Sequence, residues 1–316
     1  MIQNYFGNEL NKIFNKLNED FFNEANGVEE IRIRIEKPIL IYKRGEEFSV
    51  TKSGKITENI LFGYCPQRDD INKTLELMSN YSPYAFNEEI KNGFITLNGG
   101  YRVGIVGEVI LDGKSMDSSI LTIKNISGLN IRFSREIKNC SEKIMKYIAD
   151  SEIKHTIIIS PPKCGKTTLL RDIIRKISDG EGTKKGETVG VADERSEIGG
   201  SFLGIAQNDV GIRTDILDNC PKELGIRILL RSMSPDVIAV DEIGTEADIH
   251  AIDEVINSGV KIICTVHGKN IEDLKLKPVL NNLINKKIFE RYIVLGYGET
   301  AGEVTGIYDA DLNSVL

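Results

Sequence analysis

A short segment that combines glycine, lysine and threonine after an apolar run is the strongest chemical signal in the sequence. A strand that turns into a helix N-terminus directs several free backbone N–H groups at one point, where the helix dipole also favours an anion. The segment therefore predicts a phosphate-binding loop for ATP, with Lys166 contacting the β- and γ-phosphates and Thr167 holding Mg²⁺. In chain order its residues are Ser160, Pro161, Pro162, Lys163, Cys164, Gly165, Lys166, Thr167 and Thr168.

The loop departs at one position from the G-x-x-x-x-G-K-[ST] pattern, because Ser160 stands where the first glycine is expected. Serine is small enough for a tight turn, so we expect the loop to form with it. Gly165 keeps the second glycine of the pattern, which lets the backbone approach the phosphates without a Cβ.

Two acidic residues, Asp241 and Glu242, follow directly after the apolar run at 237–240. In an open α/β sheet the ligand crevice lies at the carboxyl ends of the strands. We expect Asp241 to reach Mg²⁺ through a water molecule. Glu242 is the preferred general base, which would orient and deprotonate the attacking water.

Two further polar segments follow strand-like runs. The run at 188–192 ends in an acidic segment in which Glu194 is a second candidate for positioning the water or the metal, so the choice of base between Glu242 and Glu194 stays open. We interpret this run as an extra strand between the loop strand and the acidic strand, as in RecA-like and AAA-like ATPases. His267 ends the run at 261–266, where it could bind the γ-phosphate and report its loss, or simply lie at the surface.

Phosphoryl transfer needs additional positive charge, which another subunit often supplies as an arginine. Arg213 and Arg231 are the best-placed candidates, because each lies in a segment marked by Gly or by Ser and Pro. An ordinary surface ion pair is the alternative for every candidate. The others are Arg195, Arg227, Arg102, Arg132 and Arg135.

The elements that must position these residues differ between the two parts of the chain. From residue 150 onward apolar strands alternate with helices, which predicts an α/β core with a mostly parallel sheet. The runs at 289–295 and 302–308 predict an antiparallel extension of that sheet. The predicted strands lie at 155–159, 188–192, 237–240 and 261–266, and the predicted helices at 166–177, 222–231 and 247–257.

The first 140 residues predict a smaller α+β domain. Helical spacing at 6–22 and 69–79 flanks a strand at 31–35, where isoleucine alternates with arginine. The glycine-rich stretch at 93–107 lacks the Lys-Thr pair of a nucleotide loop and predicts a hairpin. Further strands are predicted at 39–42, 94–97, 101–111 and 129–133. We expect two domains, a small α+β N-terminal domain at 1–140 and a P-loop ATPase domain at 141–316 that begins with a short connecting helix at 141–150.

The composition narrows the possible functions. The 316 residues include 40 Lys and Arg against 47 Asp and Glu, a net charge of −7 that argues against sequence-independent coating of nucleic acid. The five cysteines are scattered and odd in number, which argues against a disulfide framework or zinc site and suggests a reducing cytosol. Neither a secretory leader nor an apolar run of about 20 residues is present, so we expect no direct membrane insertion.

The motifs together resemble the stage III sporulation protein AA family, whose members are ATPases. The resemblance covers nearly the whole chain, and Ser160 is its main departure. The segments that carry it are 160–172, 193–198, 211–215 with 220–222, 231–236 running into 241–244, and, in the N-terminal part, 31–34 with 37–38 and 104–108.

The resemblance implies a RecA/AAA-like P-loop core and a place among the ATPases that power type II and type IV secretion and pilus machines. Such ATPases form hexameric rings, with the nucleotide between the N- and C-terminal domains. Within that class 193–194 resembles the Asp box and 265–268 the His box. The family is expected in the mother-cell cytoplasm, driving a channel to the forespore. Its partner would be a small membrane-anchored protein, similar to stage III sporulation protein AB, whose cytosolic part docks the ATPase.

Two alternatives come from other functional classes. A RecA-like core also serves nucleic-acid-dependent ATPases, but tryptophan is absent and no basic cluster exceeds two or three residues, so no stable nucleic-acid binding is expected. A nucleotide-gated scaffold without catalysis is the other alternative. The intact pair Asp241 and Glu242 argues against it.

Overall fold

The structure, a computed structural model, describes residues 2–17, 19–22, 27–80, 87–113, 119–133, 136–180, 185–298 and 302–316. The chain divides into two compact units, Met1–Arg135 and Glu136–Leu316. The first unit thus ends a few residues before the boundary predicted at residue 140. None of the described helices has the length and apolar character needed to cross a bilayer.

The first unit is built on an antiparallel sheet. Its strands lie in the order β4-β3-β2-β1-β7-β6-β5, and each strand runs antiparallel to its neighbours. Short 3₁₀ turns cover Ile2–Tyr5, Glu19–Phe22 and Ile60–Phe62. The helices are α1 (Asn8–Phe14), α2 (Arg68–Met78) and α3 (Asn87–Lys91), and the strands are β1 (Val28–Arg34), β2 (Lys37–Lys43), β3 (Glu46–Val50), β4 (Ile56–Thr57), β5 (Phe94–Leu97), β6 (Tyr101–Asp112) and β7 (Ser119–Arg132).

Alternation of residue types explains the sheet of this unit. Ile31 and Ile33 of β1 are fully buried, whereas Arg32 between them is exposed. The hairpin predicted at 93–107 is confirmed by the pairing of β5 with β6. The helix predicted at 6–22 is wrong in its extent, because α1 covers only Asn8–Phe14 and Glu19–Phe22 forms a separate 3₁₀ turn. At the start, Gly7 lies in an extended conformation and its N–H donates to Thr74 Oγ1 of α2 (3.1 Å). α1 therefore begins only after Gly7.

The second unit alternates strands with helices. Most predicted elements are observed to within two residues of the predicted ends. Two short helices and one strand were not predicted. The helices are α4 (Glu142–Ile148), α5 (Lys166–Asp179), α6 (Lys222–Ser232), α7 (Glu246–Asn257), α8 (Ile271–Lys275) and α9 (Pro278–Asn285), and the strands are β8 (Thr156–Ser160), β9 (Val189–Asp193), β10 (Thr214–Asp218), β11 (Val237–Val240), β12 (Lys261–His267), β13 (Arg291–Leu295) and β14 (Val304–Tyr308).

The sheet of the second unit is mostly parallel, as predicted. Its order is β10-β9-β11-β12-β8-β13-β14, and only β13 and β14 are antiparallel neighbours. Both faces are covered, since Ile157 and Ile159 belong to one buried cluster and Ile158 to another. α5 contributes to the cluster of Ile158, and α6, α7, α8 and α9 contribute to the other. The second unit is thus an α/β unit with a mostly parallel sheet, as predicted for a P-loop core, and the first unit is smaller and based on an antiparallel sheet.

The strand order corrects three details of the sequence analysis. β12, and not β9, lies between β8 and β11, because a parallel sheet need not follow chain order. The half-buried β10 was missed because it is an edge strand that mixes polar and apolar residues. The C-terminal extension is antiparallel only at β14, since β13 runs parallel to β8.

Candidate active site

The segment between β8 and α5 forms a turn around the N-terminus of α5. Gly165 lies just before the helix with φ +85°, a left-handed conformation that glycine adopts without a steric cost. Its carbonyl accepts the N–H of Leu169 (2.9 Å) and so starts the helix. The N–H groups of the first turn have no acceptor within the helix, and they make its N-terminus suited to a phosphate group.

Ser160 fits this turn without the freedom of glycine. It is fully buried at the end of β8 and is not among the residues with positive φ. Its hydroxyl donates to the carbonyl of Pro161 (2.7 Å), and its own carbonyl accepts the N–H of Gly268 (3.1 Å). The departure from the glycine pattern therefore costs the loop no backbone strain at this position.

The loop and the acidic pair meet at the carboxyl edge of the sheet. Thr167 Oγ1 donates to Asp241 Oδ2 (2.6 Å). Lys166 Nζ lies 3.5 Å from Asp241 Oδ1 and also donates to Glu242 Oε1. Lys166 is only 7% exposed, so its charge is compensated within the site. Two segments 75 residues apart in sequence are thus in direct contact.

Glu242 lies at the centre of a set of hydrogen-bond donors. Its Oε1 accepts a hydrogen bond from Lys166 Nζ and lies 3.0 Å from His267 Nε2. Its Oε2 accepts a hydrogen bond from Arg195 Nη1 at 2.5 Å. Burial raises the pKa of Glu242, but the hydrogen bond from Lys166 and the charges of Lys166, Arg195 and His267 outweigh burial and lower the pKa below its ordinary value. The side chain is therefore held as a carboxylate.

Thr265 aligns the acidic pair, although the sequence analysis assigned it no role of its own. This fully buried residue of β12 accepts the backbone N–H of Glu242 (3.0 Å) and donates its hydroxyl to Asp241 Oδ1. A single hydroxyl within an otherwise apolar strand, two residues before His267, was the available signal. Because β12 lies beside β11, the hydroxyl reaches both acidic residues at once.

A loop after β9 carries Arg195 to Glu242. The carboxylate of Asp193 accepts the backbone N–H groups of residues 197–199 at 2.8–3.0 Å. Arg171 of α5 donates to the carbonyls at 197 and 198 at 2.6 and 2.7 Å. Burial raises the pKa of Asp193 to about 6, against the lowering effect of these backbone hydrogen bonds. The loop is therefore anchored both to its own strand and to the helix that follows the phosphate-binding turn.

Three other predicted site residues lie elsewhere in the second unit. The carboxylate of Glu194 binds Lys222 Nζ (2.5 Å). Arg213 Nη1 donates to the carbonyl of Ser178 (2.7 Å) in the last turn of α5, about 20 Å from its N-terminus at 1.5 Å per residue. Arg231 is exposed in the last turn of α6, which leads into β11 and so ends at the amino edge of the sheet.

The remaining candidate arginines have other neighbours. Arg227 forms ion pairs with Glu223 and Glu254, both at 2.8 Å. In the first unit Arg102 stands opposite Arg132 across β6 and β7, and its guanidinium lies 3.8 Å from the centroid of the Phe94 ring. Arg135 lies outside the described residues.

The donor set suits Mg²⁺. Thr167 and Asp241 offer a hydroxyl and a carboxylate 2.6 Å apart, and oxygen ligands are those that Mg²⁺ prefers. Over the described ranges no group of three or more His, Cys, Asp or Glu side chains converges as a metal cage would require. Mg²⁺ in nucleotide sites needs only one or two protein ligands, because phosphate oxygens and water supply the rest. A cleft of about 510 Å³ is lined by Pro161 and Pro162 of the turn and by His267 at the end of β12.

Comparison with known sequences identifies a family to which the chain is similar. The family model described as "Sporulation stage III, protein AA" matches residues 2–315. Stage III sporulation protein AA of Bacillus subtilis (strain 168) is 38% identical over 286 residues, which is 90% of this chain and 88% of that protein. The protein SEEDLING PLASTID DEVELOPMENT 1 of Arabidopsis thaliana is 30% identical over 200 residues, 58% of this chain but only 27% of that protein.

Solved structures of ATPases share the fold. The ATPase DotB of Yersinia pseudotuberculosis matches with a TM-score of 0.60 at 15% identity, covering 96% of this chain and 80% of that one. The pilus retraction motor PilT with bound ADP matches with a TM-score of 0.56 at 15% identity, covering 90% of this chain and 79% of that one. At such identities the likeness concerns the architecture alone.

Proposed function

The chain belongs to the stage III sporulation protein AA family, and on that premise we propose that it is an Mg²⁺-dependent ATPase, the motor of a sporulation-associated secretion or transport apparatus between mother cell and forespore. The observation that carries the proposal is the meeting of Lys166 and Thr167, at the N-terminus of α5, with Asp241 and Glu242. This is the set of groups that hydrolysis of a nucleoside triphosphate requires.

Each residue has a defined task in the proposed reaction. The β- and γ-phosphates of ATP lie at the N-terminus of α5, where they compete with Glu242 for Lys166. Thr167, and Asp241 through a water, would hold Mg²⁺, which when bound would supply positive charge that neutralises the phosphates. Glu242 orients a water and accepts its proton while the water oxygen bonds to the γ-phosphorus. The bond to the bridging oxygen breaks, and ADP and phosphate leave.

His267 and Glu194 have supporting roles in this proposal. His267 Nε2 lies 3.0 Å from Glu242 Oε1, the oxygen that also binds Lys166. When Lys166 turns toward the γ-phosphate, His267 can hydrogen-bond the same phosphate. Glu194 stays the alternative base. It is the weaker candidate, because its carboxylate pairs with Lys222 of α6, whereas the carboxylate of Glu242 contacts Lys166 at the phosphate-binding turn.

We further propose that the protein works as a homo-hexameric ring in the mother-cell cytoplasm, docked on a membrane-anchored partner similar to stage III sporulation protein AB. Family membership supports this assembly. Arg213 and Arg231 lie away from the acidic pair of their own subunit. Either could therefore act only across a subunit interface.

The proposal is tested with purified protein, Mg²⁺ and ATP. The parent should release phosphate, and Lys166→Ala should lower that rate at least about 100-fold because the charge on the γ-phosphate is no longer compensated. Lys287→Ala is the matched control, since it removes an exposed lysine that pairs with Asp311 on the far surface. A parent without phosphate release, or a Lys166→Ala variant with full activity, refutes the proposal.

A further inference from the structure

The two oxygens of the Glu242 carboxylate have different partners. Oε1 faces Lys166 and His267, which a bound phosphate would engage, whereas Oε2 accepts a hydrogen bond from Arg195 at 2.5 Å. Glu242 itself has φ +56°, outside any regular element, so neither a helix nor a strand determines the direction of its side chain. Something other than the backbone must hold the carboxylate in place.

Arg195 is well suited to hold it, because its loop is rigidly attached. The carboxylate of Asp193, which is 2% exposed, accepts hydrogen bonds from three backbone N–H groups of that loop. Arg171, 5% exposed, binds two of its carbonyls from α5, five residues after Lys166. These contacts hold the Arg195 loop against α5, the helix whose N-terminus would bind the phosphates.

We propose that Arg195 is a positioning residue within its own subunit, which holds Oε2 of Glu242 so that the carboxylate stays directed at the phosphate-binding turn. This assignment rests on the proposed ATPase activity. It differs from the expectation that arginines of this core serve a neighbouring subunit. The side chain of Arg195 is 59% exposed, so the ion pair contributes little to global stability and its effect is on orientation.

The orientation of a general base has a measurable effect on the rate of catalysis. A general base contributes about 10²–10⁴ in rate, and a displacement of about 1 Å can cost about 10². We expect Arg195→Ala to lower kcat about tenfold and to leave KM within about twofold, since Arg195 contacts the proposed base. Arg195→Lys should recover part of the rate, because an ammonium group can reach one carboxylate oxygen.

The decisive experiment is a double-mutant cycle on phosphate release. Arg195→Ala is made in the parent and in Glu242→Gln, and kcat and KM are measured for all four proteins, with Lys287→Ala as the control for loss of an exposed cation. Arg195→Ala should lower kcat in the parent and have no further effect in Glu242→Gln, because Arg195 acts through Glu242. An equal loss in both backgrounds, or an unchanged kcat in the parent, overturns the inference.

Failure of the inference about Arg195 can be distinguished from failure of the proposed ATPase function. Should the parent release no phosphate, the ATPase proposal fails, and the positioning role fails with it. Phosphate release by the parent together with an unchanged kcat in Arg195→Ala overturns the positioning role alone.

Discussion

Replacing Glu242 with glutamine should separate nucleotide binding from turnover. Glutamine keeps the size of the side chain and one oxygen that can accept a hydrogen bond from Lys166, but it cannot accept a proton from water. Loss of a general base costs about 10²–10⁴ in rate. We therefore expect kcat of Glu242→Gln to fall by at least about 100-fold.

The same change should strengthen ATP binding. An incoming phosphate must take Lys166 from Glu242, and both side chains are mostly buried, at 9% and 18% exposed. A hydrogen bond that involves a charged group contributes about 1.5–3 kcal/mol, and one between neutral groups about 1 kcal/mol. Because Lys166 keeps its charge when Glu242 becomes neutral, the difference of about 0.5–2 kcal/mol is the upper limit of what the substitution frees, and ATP should bind up to about 30-fold more tightly.

The assay is equilibrium binding of a fluorescent ATP analogue with Mg²⁺, alongside single-turnover phosphate release. Asp311→Asn is the matched control, because it neutralises an exposed carboxylate that also pairs with a lysine, and both readouts should stay at parental values. The reasoning is refuted if Glu242→Gln binds the analogue no more tightly than the parent, or if it turns over within about threefold of the parent.

Three further substitutions test individual contacts. Ser160→Gly should leave ATP affinity within about twofold and lower the unfolding free energy by about 0.5–1 kcal/mol, because that position needs no left-handed conformation; a large gain in affinity would contradict this. Thr265→Val removes the buried partner of the Glu242 N–H and of Asp241, so urea unfolding should show a loss of about 2–4 kcal/mol, and a loss below about 1 kcal/mol would be inconsistent with those contacts. Burial raises the pKa of Asp193 to about 6, above that of an unfolded aspartate near 4, so the folded state binds more protons between these values and the parent should lose stability as pH rises from about 4 to about 6. Asp193→Asn should flatten that part of the urea-unfolding profile, and an equally steep profile would exclude Asp193 as its source.

Short-range patterns in the sequence were sufficient for much of the fold and for the centre of the site. The order strand, turn, helix around Gly165 is a local property, because it depends on two left-handed residues, Lys163 and Gly165, and on the helix that begins at Lys166. Asp241 follows a strand buried on both faces, and parallel strands share one carboxyl edge. Contact between the turn and the acidic pair therefore follows from the parallel arrangement of the strands alone.

The partners that complete the site were decided only by the tertiary structure. Which strand lies between β8 and β11 depends on how the crossover helices pack, and that order brings Thr265 of β12 onto the acidic pair. The contact of Arg195 with Glu242 depends on a loop held by Asp193 and by a helix from another part of the chain. The sequence specifies local conformation through nearby residues, whereas such contacts arise from the simultaneous packing of segments distant in the chain.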